Sequence, residues 1–208
     1  MANIGVIIPT SLAGVVVTVA GGAYLIYGSS SDTVKTLFKD KFRHALMSTS
    51  DNKDDSLWGV KWESLKKLGK AKNSKISQAL RDHKSKSIDD DIRGLLKQGC
   101  QEIYDSEFLS QGDEVYDDFK NVCSRNIKDK LGGTWLASSD GKIAEKWTSL
   151  SQAGLDSLTS ELKAIKSKDE TNGKAELQKW CDSISTYPYD GDGTLLTNNA
   201  TSYCKVSV

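Results

Sequence analysis

Apolar positions along this chain fall into two regimes. From Ile4 to Tyr27 they run on as IGVIIPTSLAGVVVTVAGGAYLIY with no charged residue, and beyond that they recur at helical intervals among polar residues. At about 1.5 Å per residue the first stretch, as a helix, is long enough to cross a hydrocarbon core of roughly 30 Å with some tilt. Its polar members Thr10, Ser11 and Thr18 are hydroxyl residues that bond back to a helix backbone in lipid. Tyr24 and Tyr27 stand at one end, where amphipathic rings favour the membrane interface, and Pro9 falls in the first turns, where a missing N–H costs least. The pattern predicts a single transmembrane helix; the plainer alternative is a buried core helix. The start MANIG lacks Lys and Arg and the apolar run is long, which favours an uncleaved anchor. Ala20-Gly21-Gly22-Ala23 offers a peptidase small residues, so a cleaved signal segment is the other reading. Thr10, Gly14, Thr18 and Gly22 form a small-xxx-small stripe, a candidate helix-dimer face and hence a route to a homodimer.

The remainder reads as helices. Val34, Phe38, Phe42 and Ala45 share one stripe of a juxtamembrane helix that Ser31-Asp32 would cap and that runs to about Met47. After a loop at 48–55, helical spacing returns through Trp58, Trp62, Leu65 and Leu68 to Gly69, then in a short unit at about 74–83. Ser87 would cap a stronger helix over about 88–105, with Asp89, Asp90 and Asp91 at the positive end of its dipole. A single helix is predicted over about 113–131, from Val115, Phe119, Val122, Cys123 and Ile127, ending at Gly132-Gly133. Further helical spacing covers Ile143 to Ile165 and about 174–185, after which Pro188 and the 190–193 DGDG turn lead into an irregular tail. No stretch alternates with period two for long, so the expected fold is all-α: an N-terminal transmembrane helix (1–31) followed by a polar helical bundle (32–208) with an irregular C-terminal tail. Trp62-Glu-Ser-Leu65 echoes Trp147-Thr-Ser-Leu150, and Trp180 to Ile184 does so more loosely. That is either a duplicated helical unit or ordinary Trp packing.

Charge sharpens the division. Lys and Arg number 28 and Asp and Glu 28, yet residues 1–31 hold none of them, so the body is about 32% charged, above the roughly 25% usual for globular domains. A neutral total gives no field to steer nucleic acid, which is not an expected partner. Within the body, 61–86 carries net +7 and 89–118 net −8, which reads more simply as neighbouring helices that attract than as a basic binding face.

The four cysteines, Cys100, Cys123, Cys181 and Cys204, all lie in the body. None forms C-x-x-C, and His44 and His83 lie far upstream, so zinc is poorly supported. An even set in a membrane-anchored chain suggests disulfides and an oxidising, extracytoplasmic face, with 100–123 and 181–204 the favoured pairing; four buried free thiols are the alternative. Lys35, Lys39, Lys41 and Arg43 argue the other way, because basic residues beside a span mark the cytoplasmic side.

No catalytic motif is present: no G-x-S-x-G, H-E-x-x-H, phosphate-binding glycine loop or dinucleotide fingerprint. Asp190-Gly191-Asp192-Gly193 starts like a calcium loop, but Thr194, Leu195 and Thr201 occupy its third-ligand, sixth and twelfth positions, so a turn is expected there. Asn199-Ala200-Thr201 fits a glycosylation sequon. No cofactor or metal is expected.

Leu177-Gln-Lys-Trp180-Cys181, Tyr187-Pro188-Tyr189 and Tyr203-Cys204, with Gly14, Gly21, Gly22 and Ala23 in the apolar segment, form a layout that resembles the paralogous surface and membrane protein families of haemotropic mycoplasmas. The resemblance spans the chain on short motifs. It implies a cell-surface, antigenically variable protein with no assigned activity and no catalytic residues to carry over. The expectation is a single-pass membrane protein with an extracytoplasmic body, a binding or antigenic-display module whose partners are membrane lipid and host or environmental macromolecules. A cytoplasm-facing scaffold and a carboxylate-based hydrolase are the alternatives.

Overall fold

Capping and periodicity set most of the helices. A computed structural model describes residues 35–82, 88–136 and 141–206, and the Ile4–Tyr27 segment with its Thr10/Gly14/Thr18/Gly22 stripe lies outside them. Among the described residues no helix is long and apolar enough to cross a membrane. The body is mostly helical. Helix α1 (Phe38–Lys41) is followed by α2 (Asp55–Leu68), which Gly69 ends in the left-handed region at φ 67°. Helix α3 (Ser74–Asp82) packs on α4 (Asp90–Tyr104), whose N-cap Asp89 accepts from the Ile92 N–H. Next come α5 (Glu114–Asp118), a π-helical turn (Phe119–Cys123) and α6 (Ile127–Leu131). Helices α7 (Ile143–Gln152), α8 (Ser160–Lys166), α9 (Glu170–Ser185) and α10 (Leu195–Tyr203) complete the set. Strands β1 (Thr134–Trp135) and β2 (Lys205–Val206) pair antiparallel.

Three predicted elements differ. The helix expected up to Met47 is one turn only, because Leu37 bridges Glu107 and Leu46 bridges Ser124, which pulls the flanking backbone into extended form. The single helix expected over 113–131 breaks at Ser124, where φ −114° and ψ 143° place the residue in that bridge; Asn126 then starts α6 with an Asn126/Asp129 capping box. The tail expected to be irregular contains α10, capped by Thr194, and β2.

The body repeats one arrangement twice. Helices α1 to the π-turn of the first half correspond in order to α6 to α10 of the second, and the same hydrogen bonds recur. Phe38 N donates to Ser106 O (3.1 Å) as Ile127 N does to Tyr187 O (2.9 Å). Phe108 N donates to Thr36 O (2.8 Å) as Tyr189 N does to Arg125 O (2.9 Å). Leu46 faces Ser124 as Trp135 faces Lys205. Cys100–Cys123 and Cys181–Cys204 are disulfides, each spanning a sequence separation of 23, that tie α4 to the π-turn and α9 to the end of α10. The Trp62 and Trp147 motifs occupy counterpart helices α2 and α7, with Leu65 and Leu150 both fully buried. Trp180, on α9, stands where α4 has Gly99, so it is not a third copy of the Trp62 and Trp147 motif.

The core runs through both halves. Phe38, Phe42, Phe108, Tyr116 and Phe119 cluster at one end, with ring centroids 4.8–6.4 Å apart. In the second half a Cβ added to Gly173 on α9 would sit 2.1 Å from the Trp147 ring. Gly173→Ala should therefore cost about 2–3 kcal/mol, a cost of overpacking that urea unfolding measures. Gly94→Ala on α4, with nothing within 4 Å, should cost nothing.

Candidate functional site

The two halves meet at residues 124–129, where charge is buried. Lys61 sits on α2 behind Trp62, its side chain 3% exposed, and its Nζ donates to Asp129 Oδ2 at 2.6 Å. The same Asp129 oxygen accepts from Asn126 N (2.8 Å) in the capping box of α6, so one carboxylate serves a helix start and a lysine from the other half. With its amide turned to satisfy its neighbours, Asn126 offers its oxygen to Lys61 Nζ at 3.2 Å and its nitrogen to Lys120 O at 3.0 Å. Beside this pair, Arg125 bonds Asp54, whose second oxygen accepts from Ser48 N (2.7 Å). Burial pushes the Lys61 ammonium below its usual value, with Asp129 acting against that shift. The hollow over these groups holds about 700 Å³ and is lined by Lys61, Arg125 and Lys128 against Asp54 and Asp129. Lys61 with Asp129 and Arg125 with Asp54 already pair within the protein, so these groups act as a strut between the halves.

A second hollow, about 420 Å³, opens between the α2–α3 loop and α5 with its π-turn. Leu68, Ala71 and Val122 give it an apolar side, while Glu114, Asp117, Asp118 and Asn121 line the other, and Lys70 and Lys72 the lip. Asp118 is buried, 6% exposed, and its Oδ2 accepts from Lys72 N (2.8 Å) and Asn73 N (2.7 Å), holding the loop that starts α3. Its Oδ1 takes no hydrogen bond from the described residues. Burial holds the Asp118 carboxyl above the usual carboxylate range, against the pull of those two N–H groups. Lys72 Nζ lies 3.0 Å from Glu114, which raises its ammonium.

The residues singled out in the sequence fall as follows. Cys100, Cys123, Cys181 and Cys204 are all paired and all buried. The carbonyls of Cys123 and Cys181 accept from Tyr104 Oη and Trp135 Nε1 (3.1 Å), a buried ring donor at each disulfide. His44 lies against Gly191, and His83 is outside the described residues, as is Ser87. The DGDG segment is a turn: Asp190 accepts from Thr197 Oγ1 (2.7 Å), and Asp192 from Tyr189 Oη. Among the described residues no three His, Cys, Asp or Glu side chains converge as a metal site. Asn199 of the sequon is buried, accepting from Thr159 N (2.9 Å) and donating to Ser157 O (2.7 Å), so its amide is closed to a glycan in the folded chain.

Lys61 and Asp118 were not singled out in the sequence, where both sit in charge-rich stretches that read as solvated. The signal that finds them is the repeat: Lys61 precedes Trp62 as Lys146 precedes Trp147, and Asp118 precedes Cys123 at the spacing by which Asn199 precedes Cys204. No protein-family model, curated protein or solved structure matches this chain.

Proposed function

We propose that the protein is a single-pass membrane-anchored helical body, displayed on the extracytoplasmic face, that works by binding rather than by chemistry. The observation that carries this reading is the pair of buried disulfides, one closing each half, since such bonds form and persist in oxidising compartments. The uncharged run up to residue 31 supplies the anchor. Surface display of this kind is also what the resemblance to the haemotropic mycoplasma families implies. A cytoplasm-facing scaffold is the second reading, favoured by Lys35, Lys39, Lys41 and Arg43. Two of those four make surface ion pairs on the body, Lys35 lying 3.4 Å from Glu107 and Lys39 2.7 Å from Asp105, partners they keep on either side of a membrane.

Protease and a membrane-impermeant thiol reagent applied to intact cells separate the two. On the surface reading the body is cut without lysis, and its cysteines label only once reductant has opened the disulfides. A body that stays protected, with thiols that react after lysis without reductant, would establish the cytoplasmic scaffold.

A further inference from the structure

The charge of Asp118 has no counterpart in the second half. There Asn199 accepts the N–H of Thr159 at the start of the short helix with no charge, one backbone bond where Asp118 accepts two. The first half therefore buries a charge where the second half has none, and a buried carboxylate is costly unless paired. Its surroundings differ in the same sense. Leu195, Asn198 and Asn199 stand where Glu114, Asp117 and Asp118 stand, so the negative charge belongs to the first half alone. Tyr203 stands where Val122 does, and the smaller side chain leaves room in the hollow. The backbone also departs here: α10 stays α-helical to Tyr203, whereas Phe119–Cys123 widens into a π-turn, a feature frequent at functional sites.

We propose that the hollow beside Asp118 is a binding site for a small organic amine, a primary ammonium on an apolar body. The ammonium meets Asp118 Oδ1, with Asp117 beside it, and the hydrocarbon lies against Leu68, Ala71 and Val122. Lys72, 3.0 Å from Glu114 and also attracted by Asp118, and Lys70 face three carboxylates, Glu114, Asp117 and Asp118, so the lining keeps a net negative charge. At about 420 Å³ the hollow lies in the size range of small-molecule sites, roughly 300–1,000 Å³, toward its lower end. This deepens the binding reading of the body and is independent of which side of the membrane the body faces.

The test uses the full-length chain in detergent micelles with its disulfides intact. Cyclohexylamine, cyclohexanol and cyclohexanecarboxylate are titrated while the amide resonances of Lys72 and Asn73, the two donors to Asp118, are followed. Cyclohexylamine should give saturable shifts at these two amides with a Kd of about 1 mM, in keeping with so small a ligand. Asp118→Asn, which places in the first half the side chain the second half already uses, should weaken the amine at least about tenfold and leave cyclohexanol unchanged. Val122→Tyr, which brings the larger side chain of Tyr203 to the equivalent position beside the hollow, should abolish the response to both. The proposal is overturned by an amine that gives no saturable shift, by carboxylate binding as tight as amine binding, or by amine binding that survives either substitution. None of these results bears on the protease experiment, so the two readings fail separately.

Discussion

Reducing both disulfides should lower the stability of the body by about 7 kcal/mol, roughly half from each half of the molecule, by the chain-entropy argument for loops of this length. That is comparable to the whole stability of many domains, about 5–15 kcal/mol, so reductant alone should leave the body largely unfolded at 37 °C. The two bonds close loops of equal separation, 23 residues, and all four sulfurs are buried. The paired variants Cys100→Ala/Cys123→Ala and Cys181→Ala/Cys204→Ala should accordingly lose similar amounts, each about 3–4 kcal/mol in urea unfolding. Each disulfide also has a ring donor on one cystine carbonyl, Tyr104 at Cys123 and Trp135 at Cys181, a contact that the alanine variants keep. A loss confined to one half would show that the bonds act through local packing rather than through loop closure.

The same matching explains what the sequence could and could not disclose. Helices α3, α4 and α9 were legible because each buries one apolar stripe: Ile76 and Ala79, then Ile92, Leu96 and Ile103, then Leu177 and Ile184. The local disulfide pairing was legible because each bond joins helices close together in the chain. Helix α10 was not, since its interior is polar. Thr197 and Asn199 are buried on hydrogen bonds to Asp190, Ser157 and Thr159, and hydrophobic spacing carries no trace of such partners. The break at Ser124 was hidden because its cause, pairing with Leu46, lies far back in the chain. Asp118 was hidden for a related reason: its neighbours Asp117 and Glu114 make it look like one more solvated charge, and only its contact with the Lys72–Asn73 backbone marks it as buried.

Lys61→Ala should cost about 3 kcal/mol, because it leaves the Asp129 carboxylate, 17% exposed, without its cation and removes the buried lysine stem. The pair is nevertheless a poor source of net stability. Burial outweighs Asp129 in setting the Lys61 ammonium, whose pKa is lowered from 10.5, so the folded chain releases that proton sooner than the unfolded one. In the alkaline window below 10.5 the unfolded state then binds more protons, and wild-type stability should rise with pH relative to Lys61→Met. Removing both charges together gives the sharper result. In Lys61→Met/Asp129→Asn the methionine fills the stem, the asparagine still accepts from Asn126 N, and no charge is left unpaired, so urea unfolding should return to within about 1 kcal/mol of wild type. A double variant as unstable as Lys61→Ala would mean that the ion pair itself stabilises the body. Recovery would assign it a different task. Asp129 starts the first helix of the second half and Lys61 lies on the first long helix of the first, so their bond sets how the repeated units dock against each other. Its task would then be a choice between packings rather than a gain in stability, a role that buried polar pairs fill in some proteins.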